Sequence, residues 1–219
     1  MRNIIFIALL MFIGACSSQP IPQWKDTSSR QLDNYKVNFL IDKEDATEPH
    51  FAQAKKAISS NNDLNLLATA YLTKYALHTA ALEDFADSEF LRIAKLQPNA
   101  DNRAYYDFLK GNFGKIDPGM LPANYNKLLP LIMDNNLSAA RLEIAAINDP
   151  LSRLIACGVW VKYLPSDENI LRLAIDTAAQ YGWRRPLWAY LAHLQKYYTE
   201  HQETSKAENI KERLELLKK

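Results

Sequence analysis

The chain has 219 residues, 48% of them hydrophobic and 23% charged, and its 26 Lys and Arg against 25 Asp and Glu give a formal net charge of +1. Proteins that grip nucleic acid carry a clustered basic excess able to displace counterions, and neither the total nor any run here supplies one, so that class is excluded. Two cysteines, Cys16 and Cys157, are too few for a disulfide framework.

In chain order, Arg2 comes first, then an apolar run from Ile4 to Ile13, then the small pair Gly14-Ala15 set directly against Cys16. A bilayer-spanning helix takes about 20 residues, so a run of about ten fits the middle of a signal peptide instead. Plain secretion makes no demand on the residue after the cut, whereas here that residue is a cysteine. Ile13-Gly14-Ala15-Cys16 resembles the lipobox of bacterial lipoproteins. The resemblance implies that residues 1–15 are a cleaved signal peptide, that the Cys16 thiol receives a diacylglycerol, and that the freed amine is acylated. It also implies sorting to the outer membrane, facing the periplasm, because Ser17 stands where inner-membrane retention uses aspartate. Cleavage removes one Arg and no acid, leaving 25 basic and 25 acidic residues. With Cys16 carrying lipid, Cys157 has no intramolecular partner. It lies in the apolar stretch Leu154–Val161 and is expected to be a small buried hydrophobe in a helix core.

From Ser17 to Asp33 the sequence is polar and proline-bearing, without a helical or strand period, which predicts a tether. Tyr35, Val37, Phe39 and Ile41 then alternate with Lys36, Asn38 and Asp42, predicting an extended stretch packed on the body or, alternatively, a strand added to a partner's sheet. Residues 16–48 are therefore expected to form the lipidated cysteine, tether and extended segment, and 49–219 the folded body.

Beyond Pro49 the period becomes helical. Leu64, Leu67, Ala68, Tyr71, Leu72, Tyr75 and Ala76 mark one helix face; Ile170, Leu173, Ala174, Thr177, Ala178 and Tyr181 mark another, and Leu187, Tyr190, Leu191, Leu194 and Tyr198 a third. The fold class is all-α. Helices are predicted near 49–60, 63–82, 84–97, 100–111, 123–134, 136–148, 150–164, 167–182, 185–201 and 204–218. They are separated by turn formers and caps such as Asn61-Asn62-Asp63, Pro98-Asn99, Asn135-Asn136, Asp149-Pro150, Pro165-Ser166-Asp167 and Gly182. Short connections predict antiparallel neighbours.

Ala86, Phe90 and Ile93 followed by Leu96-Gln97-Pro98-Asn99 resemble the second helix and closing proline of a tetratricopeptide repeat, and Leu67-Ala68 with Tyr71 the first helix, about six residues too distant for a 34-residue unit. Trp188, Leu191 and Ala192 resemble another repeat opening, with Ala207 displaced. The resemblance implies an α-solenoid of stacked antiparallel hairpins. Physically, a hairpin cannot bury its own apolar face alone, and stacking leaves an extended surface for a protein partner.

The run from Gly111 to Asn124 holds three of the six glycines and two of the ten prolines and must interrupt the helices, as a long loop, a hinge or a partner-binding loop. Its Gly-x-x-Gly lacks a following Gly-Lys-Ser/Thr, so it is no phosphate cradle. No catalytic motif, metal-ligand spacing or cofactor signature is found. His50, His78, His193 and His201 are scattered, and Glu83, Asp84, Asp87 and Glu89 are expected to stabilise a helix start. A peptidoglycan hydrolase is an alternative raised by the compartment, but no Glu-Ser pair is present. Trp183, Arg184, Arg185 and Trp188 surround one interhelical turn, a combination enriched at interface hot spots. The expectation is a lipoprotein held to the membrane by Cys16, acting without cofactor, metal or small-molecule substrate as a scaffold or adaptor for an envelope protein; a structural subunit of an envelope machine is the other alternative.

Overall fold

Why these residues form these helices is clearest at their ends. In the computed structural model, which describes residues 22–217, Asp63, Asn99, Asn136, Asp149 and Asp167 each turn a side-chain oxygen back to a free backbone N–H of the helix that follows, at 2.7 to 3.3 Å. Each such cap is worth about 1 kcal/mol. They open α3 (Leu64–Ala80), α5 (Ala100–Leu109), α7 (Leu137–Ala146), α8 (Pro150–Tyr163) and α9 (Glu168–Gln180). The remaining helices are α1 (Gln23–Leu40), α2 (Glu44–Ser59), α4 (Ser88–Leu96), α6 (Leu128–Met133), α10 (Arg184–Glu200) and α11 (Thr204–Leu217). The described residues are all-helical, with no strand.

One connection recurs. Three residues join α1 to α2, α6 to α7, α9 to α10 and α10 to α11, and the middle one adopts positive φ: Asp42 at 67°, Asn135 at 54°, Gly182 at 66° and Gln202 at 60°. The next N–H reaches back to a carbonyl in the last turn, as in Lys43 to Asn38 and Trp183 to Ala178, both at 2.9 Å. This left-handed closure satisfies carbonyls that a helix end otherwise leaves free and stops the helix, letting the next one begin three residues on.

The leader, Cys16 and residues up to 21 lie outside the described residues. Within them, the predicted tether and extended stretch are corrected: both lie largely in α1. Its buried side chains Ser28, Tyr35, Phe39 and Leu40, with Leu32 packed beside them, follow a helical period, and Val37 of the apparent strand is 57% exposed. The body therefore includes Gln23–Leu40 and does not begin at 49. Pro49 does not open α2 but sits inside it, where it forgoes only the bond to the Asp45 carbonyl. Thr47, Phe51, Ala54 and Ile58 form the buried face of α2, and Phe51 packs 5.2 Å from Tyr35.

Two further boundaries move. The helix predicted over 84–97 is α4, which begins only at Ser88, leaving Ala86 outside it; that over 123–134 shrinks to α6. Before α6 the chain forms two 3-10 turns, Phe113–Lys115 and Pro118–Met120. Ile116, Leu121 and Tyr125 are buried, so the segment is pinned to the body and does not divide it.

The core is continuous from Tyr35 to Ile210. At its centre α3 packs on α1, α2, α4, α5 and, far along the chain, α8. Gly158 of α8 lies against the backbone of Thr79, so close that a Cβ there would stand 2.1 Å from the Thr79 carbonyl oxygen. A second long-range contact joins α1 to α10.

Candidate functional site

The aromatic-basic turn between α9 and α10 divides into an inward and an outward half. Arg185, with its side chain 19% exposed, turns inward. Its guanidinium lies 4.4 Å over the Phe39 ring, and its nitrogens reach Glu44 at 2.7 Å, Glu83 at 3.1 Å and Asp42 at 3.4 Å. A planar donor fork facing three carboxylates and resting on a ring is a geometry that arginine can hold and lysine cannot. The residue thus fastens α10 to the α1–α2 turn and to the segment after α3.

The segment after α3 is an ionic junction. Glu83 pairs with His78 Nδ1 at 2.8 Å as well as with Arg185. Burial pushes its carboxyl up, but the hydrogen bond from His78 and the charges of Arg185, His78 and Lys162 outweigh that and hold it below its ordinary value. Lys162 of α8 donates to the Glu83 carbonyl at 2.7 Å and to Asp84 at 2.9 Å. Asp87 accepts from Tyr106 and pairs with Lys110, both at 2.9 Å. The acidic cluster expected to serve a helix start is corrected accordingly: although Glu89 does lie in the first turn of α4, Asp87 makes no side-chain cap, and Glu83, Asp84 and Asp87 are spent on cations and donors from α3, α5, α8 and α10.

The outward half of the turn is what a partner would meet. Trp183 stacks on Tyr181 at 5.1 Å, with Tyr181 47% exposed, and the exposed Arg184 lies 5.8 Å over the Trp188 ring one helical turn on. Gly182, in its left-handed conformation, makes the turn that joins the Tyr181–Trp183 stack to the Arg184–Trp188 pair along the chain. Trp183 and Leu187 also pack on the core, so the corner is mounted on a rigid base.

No protein-family model, curated protein or solved structure matches this chain. What the side chains can do is read from their geometry alone. The segment 111–124 contributes Met120, Leu121 and Pro122 to a groove of about 420 Å³ whose other wall is Thr69 and Leu72 of α3 and Tyr105 of α5. Asp101 is the one carboxylate in its lining. Among the described residues no three His, Cys, Asp or Glu side chains are grouped to hold a metal ion, and no helix is long and apolar enough to cross a membrane. Cys157 is fully buried, and burial pushes its thiol up to about 12, so it is a packing residue with no thiolate at neutral pH. His193 is held below its ordinary value by burial and then by the charges of Lys196 and Lys162.

Sequence reasoning singled out Trp183, Arg184, Arg185 and Trp188 from their local clustering. It missed Tyr181, whose helical spacing placed it in a core stripe, and the acceptors Asp42, Glu44 and Glu83. The Arg185 to Glu44 bond spans 141 residues, and nothing local announces it.

Proposed function

We propose that this protein is a lipid-anchored adaptor of the bacterial envelope, held at the outer membrane through Cys16 and engaging a protein partner through the corner formed by Tyr181, Trp183, Arg184 and Trp188. The observation that carries the reading is the mounting of the exposed Tyr181 and Arg184, with the half-buried Trp183 and Trp188, beside an Arg185 that is itself fastened to Glu44, Glu83 and Asp42. Hot spots are enriched in Trp, Tyr and Arg, and a pre-ordered patch loses little entropy on binding. Stacked hairpins of tetratricopeptide kind belong to the same reading. Their support is the recurring three-residue left-handed turn and the burial of Phe90, Ile93 and Leu191. In this reading the partner surface is that corner rather than a long concave face, and the contact of α3 with α8, distant in sequence, speaks against a simply extended stack.

Two experiments test it. Cys16→Ala is expected to abolish metabolic labelling with palmitate and to release the protein from membranes; labelling that persists overturns the anchor. Photo-crosslinking in cells from a probe at Tyr181 is expected to capture a discrete envelope protein, and Arg184→Glu combined with Trp188→Ala to cut that capture at least tenfold while the helical circular dichroism stays unchanged. Capture that is indifferent to the pair removes the corner from the proposal.

A further inference from the structure

Six residues, Ser17 to Pro22, stand in sequence between Cys16 and the start of α1 at Gln23. Fully extended, six residues reach at most about 22 Å. Resting on the reading of Cys16 as the lipidated residue, we infer that the end of the body made by the first turn of α1 and the last turn of α2 lies against the phospholipid surface and fixes the orientation of the whole molecule. The two helices are antiparallel there: Trp24 and Thr27 share an open groove of about 390 Å³ with Gln53, Lys56 and Ala57.

The chemistry of this end suits a bilayer interface. Trp24 is half-buried, with part of its indole free, and an amphipathic indole prefers the headgroup level. Lys25 and Lys56 are exposed and, among the described residues, form no ion pair; Asp26 is the acid beside them. Uncommitted lysines are drawn to anionic headgroups. Eighteen residues of α1 span about 27 Å, so the far end of that helix, with Asp42, Arg185 and the Tyr181–Trp188 corner beside it, stands off the lipid by at least that distance when α1 points outward. The lipid anchor thereby aims the partner corner away from its own membrane. The groove beside Trp24 is then a lipid-facing feature, not a seat for a second copy of the chain.

The full lipidated protein, reconstituted in phosphatidylethanolamine and phosphatidylglycerol vesicles with or without brominated acyl chains, tests this. Brominated lipid is expected to quench part of the tryptophan emission, and that part should fall at least threefold in Trp24→Phe while remaining unchanged in Trp188→Phe. A thiol-reactive environment-sensitive dye at Gln53→Cys should shift to the blue on vesicles, whereas the same dye at Asp45→Cys, at the opposite end of α2, should not; the buried Cys157 takes up no dye. Protein that floats with vesicles but shows equal quenching in wild type and Trp24→Phe, or a larger shift at Asp45→Cys, overturns the orientation and leaves the anchor standing. Protein that does not float at all overturns both.

Discussion

Gly158→Ala is expected to destabilise the folded body by about 3 kcal/mol, lowering its melting temperature by roughly 10 °C. The added methyl carbon would stand 2.1 Å from the Thr79 carbonyl oxygen and 2.8 Å from its carbon. Both are backbone atoms inside α3, so no side-chain rotation relieves the overlap, and α3 and α8 must separate along their whole crossing. Alanine's helix propensity returns only about 1 kcal/mol of this. Gly114→Ala is the matched control, since a Cβ there meets nothing within 4 Å, and it should be close to neutral. Urea titration of the two variants followed by circular dichroism decides the matter. Equal midpoints for wild type and Gly158→Ala would mean that the crossing carries no weight.

Arg185→Ala has the second largest expected effect, a loss of about 2 kcal/mol, between the small contribution of exposed ion pairs and the larger cost of breaking buried ones. The arginine is mostly withdrawn from solvent while Glu44 and Asp42 are well exposed, so part of the attraction is already screened. Removing it leaves Asp42, Glu44 and Glu83 facing one another without their shared cation and uncovers the Phe39 ring. Arg185→Lys should fall between wild type and alanine, because one ammonium cannot reach three carboxylates at once. The effect has a signed pH dependence. Glu83 is held below its ordinary value of 4.5 in the folded chain, so its contribution is complete above that value and is lost as pH falls through the lower folded one. The gap between wild type and Arg185→Ala should therefore be widest at neutral pH and narrow below about 4.5. A gap that stays constant down to pH 3 would assign the loss to packing on Phe39 alone.

The second half of the fold was nearly transparent in the amino acids. Asp149-Pro150 and Asp167 announce the starts of α8 and α9, Gly182 the end of α9, and the apolar spacing between them belongs to a helix that hides one side. α1 was opaque for a physical reason. Its first dozen residues are polar and follow Pro20 and Pro22, and over the short span from Tyr35 to Ile41 a helix face and an alternating strand share most of their apolar positions. Leu40, buried between Phe39 and Ile41, was the residue that broke the alternation. The corner at Trp183 to Trp188 was visible as composition, but its division into an inward Arg185 and an outward Arg184 was not, because Arg185 is held by residues distant in sequence. Likewise the acids at 83–87 pointed to a helix start on local grounds, and only the tertiary arrangement brings Arg185, Lys162 and Lys110 to them.

Thr79 and Gly158 meet although they stand 79 positions apart in sequence, and that separation imposes an order of events. A polypeptide delivered amino terminus first presents the α8-facing flank of α3 long before α8 has arrived to cover it. Distant partners of this kind slow the closing step and leave sticky surface open to neighbouring molecules in the meantime. The central clasp is thus a late acquisition, and the earlier half of the chain has to be kept out of trouble until its counterpart has emerged.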